Sequence, residues 1–301
     1  MRYIPFLLSL LLLASCAPAE PATAVIDLSH LEPLSQPAVT EVTPLRVAVA
    51  AIISPKGTID SYAPLLDYLE QELQRPVDLV QRRTYMEVND LIAQGEIDLA
   101  FVCTSAYVTG VRDFDMQLLA APQVNGDTIY HSLLLVAAGS PARTMSDLQG
   151  KVFAFTDPIS HSGRNYPTYL VQQLGHTPDT FFARTFFTYS HDNAIYAVAD
   201  GVADGAAVDS LIYEFARLRD PDLANRVRII HRSPPFGIPP VVVGPHVRPQ
   251  LRADMQRVLM EMANNPQGQS ALAAAGIDQF VLISDDRYDT VREVEMMVRE
   301  K

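Results

Sequence analysis

Apolar and polar positions along this chain switch repeatedly between a strand period and a helix period, and the switches predict a run of alternating elements. Residues 45–53 (LRVAVAAII) are β-branched and almost uninterrupted, the mark of a strand buried on both faces. After a loop at 54–58, Tyr62, Leu65, Leu66, Leu69 and Leu73 fall on one helical face, with Ser61 as the predicted cap and Pro64 in the first turn. Residues 76–80 predict a second strand. Thr84 and Glu87 form a capping box ahead of the stripe Val88, Leu91 and Ile92, Gly95 stops that helix, and 97–102 predict a third strand.

The second half repeats the theme. Residues 117–138 read as extended, with Asn125, Gly126 and Asp127 as a turn between two strands. The βα pattern restarts with a strand at 151–155. Between it and the stripe Tyr166, Tyr169, Leu170 and Leu174, which closes at Gly175, lies the polar stretch 157–167, DPISHSGRNYP. Strands are predicted at 182–188, 205–208, 227–230 and 241–244. Helices are predicted from the Ser190 cap to Ala199 and at 211–218, 249–263, 267–275 and 286–299.

Strands alternating with helices imply right-handed βαβ units and an α/β fold with a mostly parallel sheet in each of two lobes. Crossings near 130–136 and 239–243 predict a hinge joining residues 45–130 plus 241–301 to residues 131–240. Asp98 and Asp204 follow Gly95 and Gly201 at matching places and read as turn residues. Ligands of such sheets sit beyond the carboxyl ends of strands, which directs attention to Ser54 onward and to 81–85, 103–107, 156–163, 188–191 and 209–210.

Composition narrows the function. The chain has 301 residues, 48% of them hydrophobic, enough for two modest cores. A formal net charge of −12 argues against nucleic acid or an anionic membrane surface as the main partner. Met1 and Arg2, the apolar run to Leu13, and Leu13, Ala14, Ser15 and Cys16 predict a signal peptide over 1–16. Its last residue resembles a bacterial lipobox cysteine, which implies a lipid anchor on Cys16. Residues 17–44, with Pro18, Pro21, Pro33, Pro37 and Pro44, read as a flexible tether. Cys103 is then the one remaining cysteine, a buried thiol in an apolar run.

The polar stretch at 157–163 follows a strand and opens a helix. Such a terminus presents unpaired N–H groups and partial positive charge, and Ser160 and Ser162 with Gly163 add hydroxyls and close backbone approach, so an oxyanion is the expected guest. Ser54 and Pro55, YAPLLDYL at 62–69, YMEV at 85–88, GEIDLA at 95–100, AFTDPISHSG at 154–163, SHDNA at 190–194 and RSPP at 232–235 resemble the phosphonate-, phosphite- and phosphate-binding proteins of ABC importers, the PhnD-like solute receptors.

The resemblance implies a type II periplasmic-binding fold, anion contacts from Tyr85, Ser160, His161, Ser162 and His191, and Asp209 near the rest of the ligand. Asp209 would accept from a P–OH group. An ABC permease and ATPase would be the partners, the receptor being a monomer on the extracytoplasmic side, held by the lipid anchor alone, with no cofactor and no metal. Two departures stand out: His161 replaces the middle hydroxyl of a Ser-Thr-Ser triplet, and Val102, Cys103 and Thr104 replace groups that hold an amine, which favours a smaller ligand. A sensory receptor partnering a membrane signalling protein is the competing class. A hydrolase using Ser160 or Ser162 with His191 and Asp209 lacks the nucleophile elbow such chemistry uses.

Overall fold

The computed structural model describes residues 42–299, so the expected signal peptide, Cys16 and tether residues 17–41 lie outside the described residues. Strand β1 (Leu45–Val49) leads to helix α1 (Pro55–Leu73), then β2 (Val77–Val80), α2 (Tyr85–Ala93), β3 (Leu99–Phe101), α3 (Thr104–Phe114) and β4 (Gln117–Gln123). The short β5 (Ile129–Tyr130) carries the chain into β6 (Ser132–Ala137) and β7 (Val152–Phe155). There follow α4 (Tyr166–Gln173), α5 (Pro178–Phe181), β8 (Arg184–Phe187), α6 (His191–Ala199), β9 (Gly205–Asp209), α7 (Ser210–Arg219), α8 (Leu223–Arg226) and β10 (Val227–Arg232). A second short strand, β11 (Phe236–Gly237), returns it to β12 (Val241–Val243), α9 (Pro249–Glu261), α10 (Pro266–Ala275), β13 (Gln279–Val281) and α11 (Asp289–Arg299).

Two sheets result, ordered β13-β4-β12-β3-β1-β2 and β10-β6-β9-β7-β8. Each has a parallel part, β3-β1-β2 in the first and β9-β7-β8 in the second, as the βα pattern requires. Each is nonetheless mixed. The strand that begins on return from the other sheet runs backwards, so β12 pairs antiparallel with β3 and β4, and β6 with β9 and β10. The two crossings zip together as a β5–β11 ribbon, Tyr130 opposite Phe236.

Both sheets are covered on both faces, and the period-2 alternation of their strands feeds separate cores. In the first, Val47 and Val49 face Leu65, Leu69, Val258 and Leu272, while Ala48 and Ala100 face Val88, Ile92 and Val291. In the second, Leu133 and Leu135 face Ala194 and Val198, while Leu134, Val136, Phe153 and Phe155 face Val171 and Phe181.

The turns after glycine are built alike in both sheets. Asp98 accepts the Arg46 N–H on its carboxylate at 2.8 Å and gives its own N–H to the Arg46 carbonyl at 2.9 Å. Asp204 does the same with Val152, at 2.8 and 2.9 Å. Both aspartates tie an αβ turn to the start of the neighbouring parallel strand.

The expected loop at 54–58 is instead the first turn of α1, and Ser61 is buried inside that helix, where it caps nothing. Pro55 at the first helical position, with its preset φ, starts the helix early and shortens β1 to Val49. Helix α3 had no expected counterpart, because its start carries no side-chain cap. The helix after β7 begins five residues early with a π-type turn, His161–Asn165. Helix α2 forms as the capping box predicts: the Glu87 N–H reaches Thr84 Oγ1 at 3.2 Å and the Thr84 N–H reaches Glu87 Oε2 at 2.8 Å. Thr84→Ala should lower stability by about 1 kcal/mol, read as a lower urea midpoint with an unchanged slope.

Candidate functional site

Six strand ends, three from each sheet, meet end to end between the lobes. From the first sheet come Ile52 to Ser54, Thr84 and Tyr85, and Cys103 to Ser105. From the second come Asp157 to Gly163, Tyr189 to His191, and Asp209 and Ser210. The sequence marked all six segments.

The π-type turn sets the geometry of the most polar one. Ser160 carbonyl oxygen accepts from the N–H groups of both Arg164 and Asn165, at 3.1 and 2.9 Å, and Ser160 Oγ accepts from Gly163 N–H at 3.1 Å. The extra residue widens the turn, a feature that recurs at functional sites. Gly163 is obligatory here, since a Cβ would lie 1.8 Å from Thr156 Oγ1. Ser132 Oγ donates to the Ser162 carbonyl at 2.7 Å and fixes the turn against β6.

Lobe-to-lobe hydrogen bonds then hold the six ends in register. Asp157 Oδ2 accepts from Tyr85 N–H at 3.1 Å, and Asp192 Oδ1 from Ser54 N–H at 3.0 Å. His191 N–H donates to the Ile52 carbonyl at 3.0 Å, and Asn165 Nδ2 to Ser105 Oγ at 3.1 Å. The N–H groups of His161 and Ser105 lie against the Cys103 sulfur, whose thiol burial pushes up to about 11. Thr104 Oγ1 and Tyr130 Oη are 2.7 Å apart. At the rim, the Arg83 guanidinium sits 4.0 Å from the centre of the Tyr189 ring. Tyr189 holds a left-handed backbone, φ 60°, which costs a residue with a bulky side chain on the order of 1–3 kcal/mol.

Of eight buried side-chain atoms without a hydrogen-bond partner among the described residues, four belong to these segments, Tyr85 Oη, Ser162 Oγ and both ring nitrogens of His161, and a fifth, Thr156 Oγ1, directly precedes one of them. Ser162 Oγ lies beside the Tyr130 phenol without good hydrogen-bond geometry to it. A buried polar atom without a partner costs about 1–3 kcal/mol, so five in one region is a strong demand for a polar guest. The His161 ring stands edge-on to Phe236, centroids 4.2 Å apart, which sets its plane.

The sequence-expected residues Tyr85, Ser160, His161, Ser162, Gly163, His191 and Asp209 come together here. Tyr85 is raised well above its ordinary value by burial first and then by Cys103, Asp157, Asp209 and Tyr130. Residues that sequence reasoning missed include Tyr130 and Phe236 on the crossing ribbon and the Arg83–Tyr189 contact, and although Thr104 and Ser105 lie in a marked segment, the helix α3 that they start was not expected. A helical stripe around Ala106 and Tyr107 could have revealed α3; the ribbon pair carries no local signal. Arg164 stacks 4.4 Å over the Phe155 ring.

His191 does not form a catalytic pair with Asp209. Its Nδ1 accepts the Asp209 backbone N–H at 3.0 Å, which leaves the proton on Nε2, while the Asp209 carboxylate accepts Leu211 N–H at 2.7 Å as the cap of α7. The carboxylate therefore neither orients nor polarises the imidazole, as a hydrolytic triad demands.

Burial pushes Asp157 up to about 6 and Asp209 up to about 7, and pushes His161 and His191 down to about 3. Between about pH 4 and 6 the folded chain thus keeps protons on two carboxyls that the unfolded chain releases. It also lacks protons on two imidazoles that the unfolded chain binds, and the two stability slopes oppose each other. Below about pH 4 these two carboxyls no longer oppose the imidazoles, and stability falls as pH falls. Asp209→Asn removes one carboxyl, so its stability should rise with pH more steeply than the parent's between about pH 4 and 6. Urea midpoints across that range measure this, and equal slopes would show that Asp209 is ionised in the fold.

Known proteins share the fold. A phosphate-import protein, PhnD, from Mycolicibacterium smegmatis is 34% identical over 163 residues, 50% of this chain and 51% of that protein, so the match spans about half the relative's length. The binding protein of an ABC phosphonate transporter from Pseudomonas aeruginosa superposes with a TM-score of 0.81 at 20% identity, over 86% of this chain and 87% of that one. PhnD1 from Prochlorococcus marinus, solved with methylphosphonate, gives 0.75 at 17% identity, over 85% and 98%. These structures share the type II periplasmic-binding fold. The profile of one family matches residues 47–288, and the chain belongs to it: the periplasmic substrate-binding proteins of phosphonate ABC transporters.

Proposed function

We propose that this chain is the extracytoplasmic receptor of an ABC importer and captures a small phosphorus oxyanion, a phosphonate, phosphite or phosphate, between lobes 45–130 plus 241–301 and 131–240. The observation that carries this reading is the cluster of buried, unpartnered Tyr85 Oη, Ser162 Oγ and His161 ring nitrogens at the mouth of the π-type turn. The Ser160 hydroxyl and His191 Nε2–H add donors, and Asp209 offers an acceptor for a P–OH. No Lys or Arg belongs to this set, so recognition rests on hydrogen bonds and backbone dipoles.

The magnitudes are consistent. A helix terminus contributes about 0.3–1 kcal/mol, up to ~2 where partly buried, whereas micromolar affinity requires about 8. Four or more hydrogen bonds to a charged group, at about 1.5–3 kcal/mol each, supply the difference after ordering costs. They must come from both lobes, which makes closure part of binding. Capture would be followed by release to a permease and its ATPase, with acyl chains on Cys16 and the tether 17–44 keeping the receptor at the membrane.

Calorimetry of the full chain against phosphate, phosphite, methylphosphonate and sulfate tests the proposal. Heat with at least one phosphorus ligand and none with sulfate is expected; silence with every phosphorus ligand would sink it. Ser162→Ala should weaken the bound ligand by about 1–3 kcal/mol, and unchanged affinity would reduce Ser162 to a structural residue. Arg83→Gln should speed ligand dissociation about 3- to 10-fold in stopped-flow traces, because the cation–π contact to Tyr189 exists only across closed lobes. A change confined to association would refute that role.

A further inference from the structure

Helix α11 lies across the seam between the lobes. Its Val291, Val294 and Val298 share one apolar cluster with Tyr107 of α3 in the first lobe and with Tyr166, Tyr169 and Leu170 of α4 in the second. Gln172 Nε2 of α4 also donates to the Val298 carbonyl at 3.3 Å. On the buried face of the same helix is Glu295, 6% exposed, with its Oε1 unpartnered. Arg299 and Arg112 stand 3.6 and 3.9 Å from Oε2, beyond hydrogen-bond reach, and Arg112 is already bonded to Asp113 at 2.6 and 3.1 Å. Burial raises the Glu295 carboxyl above its ordinary value, against the Ser105 hydroxyl first and then Arg299, Arg112 and Arg292. Such a group is a poor stabiliser, since an apolar side chain of similar size would serve the helix at least as well.

Its neighbours give it a different role. Ser105 Oγ accepts Asn165 Nδ2 at 3.1 Å from across the seam, so the Ser105 hydrogen is left for the carboxylate beside it. Asn165 in turn gives its N–H to the Ser160 carbonyl at 2.9 Å, the bond that makes the turn π-type. We propose that Glu295 is a positioning residue: from α11, through Ser105 and Asn165, it clamps the π-type turn of the second lobe to the first and so slows the parting of the lobes. The proposal rests on the reading of the two lobes as a clamp that closes over a guest. The negative charge draws the Ser105 hydrogen, which turns the lone pairs of that oxygen toward Asn165; without such a neighbour the hydroxyl rotates freely.

Hydrogen exchange of the ligand-free full chain reads the parting of the lobes at the N–H groups of Tyr85 and His191, whose acceptors lie across the seam. Glu295→Met should speed exchange there about 3- to 10-fold. Its urea midpoint should be unchanged or higher, because the unpartnered oxygen is gone. Asn165→Ala should speed exchange by a similar factor, and the double variant by no more than either alone, because the two residues act in one chain of contacts. Glu295→Gln keeps an acceptor without the charge; its exchange should fall between the parent's and that of Glu295→Met, and it serves as the test if Glu295→Met folds poorly. Stopped-flow release of methylphosphonate, phosphate or phosphite, whichever gives heat in calorimetry, should quicken in parallel. Unchanged exchange or unchanged release in Glu295→Met, a lower midpoint with faster exchange spread over the whole chain, or multiplied factors in the double variant would overturn the inference. Silence of all three anions in calorimetry would instead overturn the phosphoryl reading, and exchange alone would then decide the role of Glu295.

Discussion

Helix N-termini from both lobes point at one seam, and every N–H at such an end needs an acceptor. This constraint governs the cleft. Asp192 accepts at the start of α1, Asp157 at the start of α2, the Ile52 carbonyl at the start of α6, and the Cys103 sulfur lies under two N–H groups from opposite lobes. In each pairing, donor and acceptor belong to opposite lobes, or to a residue touched by both. Once the backbone has been served in this way, what remains unserved are side-chain groups, Tyr85 Oη, Ser162 Oγ and His161, and these define where a guest can sit.

The electrostatics follow from the same burial. The chain carries −12 overall, yet an anion is the proposed guest, so long-range attraction cannot supply the affinity. Burial answers locally by moving charge out of the site: two histidines are held neutral and two aspartates are raised toward neutrality. A site of neutral donors discriminates by geometry and by the guest's own proton, because a neutral imidazole offers one donor and one acceptor. Sulfate can satisfy the donors but has no hydrogen for an acceptor such as the second nitrogen of His161.

Much of this was legible in the sequence, for physical reasons that differ between elements. Strand runs such as 152–155 and capping boxes such as Thr84 with Glu87 are local, so their residues announce them. The segment 157–163 and His191 were legible because strand ends in α/β sheets face ligands. The early start of α1 was hidden because Ser54 is capped by Asp192, 138 residues away. Tyr130 and Phe236 meet only through the pairing of two crossings. The antiparallel strands were equally hidden: β12 is as apolar as a parallel strand, and its direction is set by where the chain returns from.

The two lobes share a turn, with Asp98 on Arg46 and Asp204 on Val152, yet the site between them is unequal, and the inequality has a source. At the opposite strand ends the first lobe's helix starts leave the N–H groups of Ser54 and Tyr85 to be accepted from outside, and the second lobe offers Asp192 and Asp157. The second lobe's carboxylates occupy the first lobe's helix ends, so the proposed anion cannot. The anion proposed above is left the second lobe's own helix start, at Ser160 to Gly163, where Ser160 Oγ takes the Gly163 N–H and Ser162 Oγ has no partner. In the proposed reading the same carboxylates that fasten the lobes thus assign the guest to one of them, and recognition and closure become one set of hydrogen bonds.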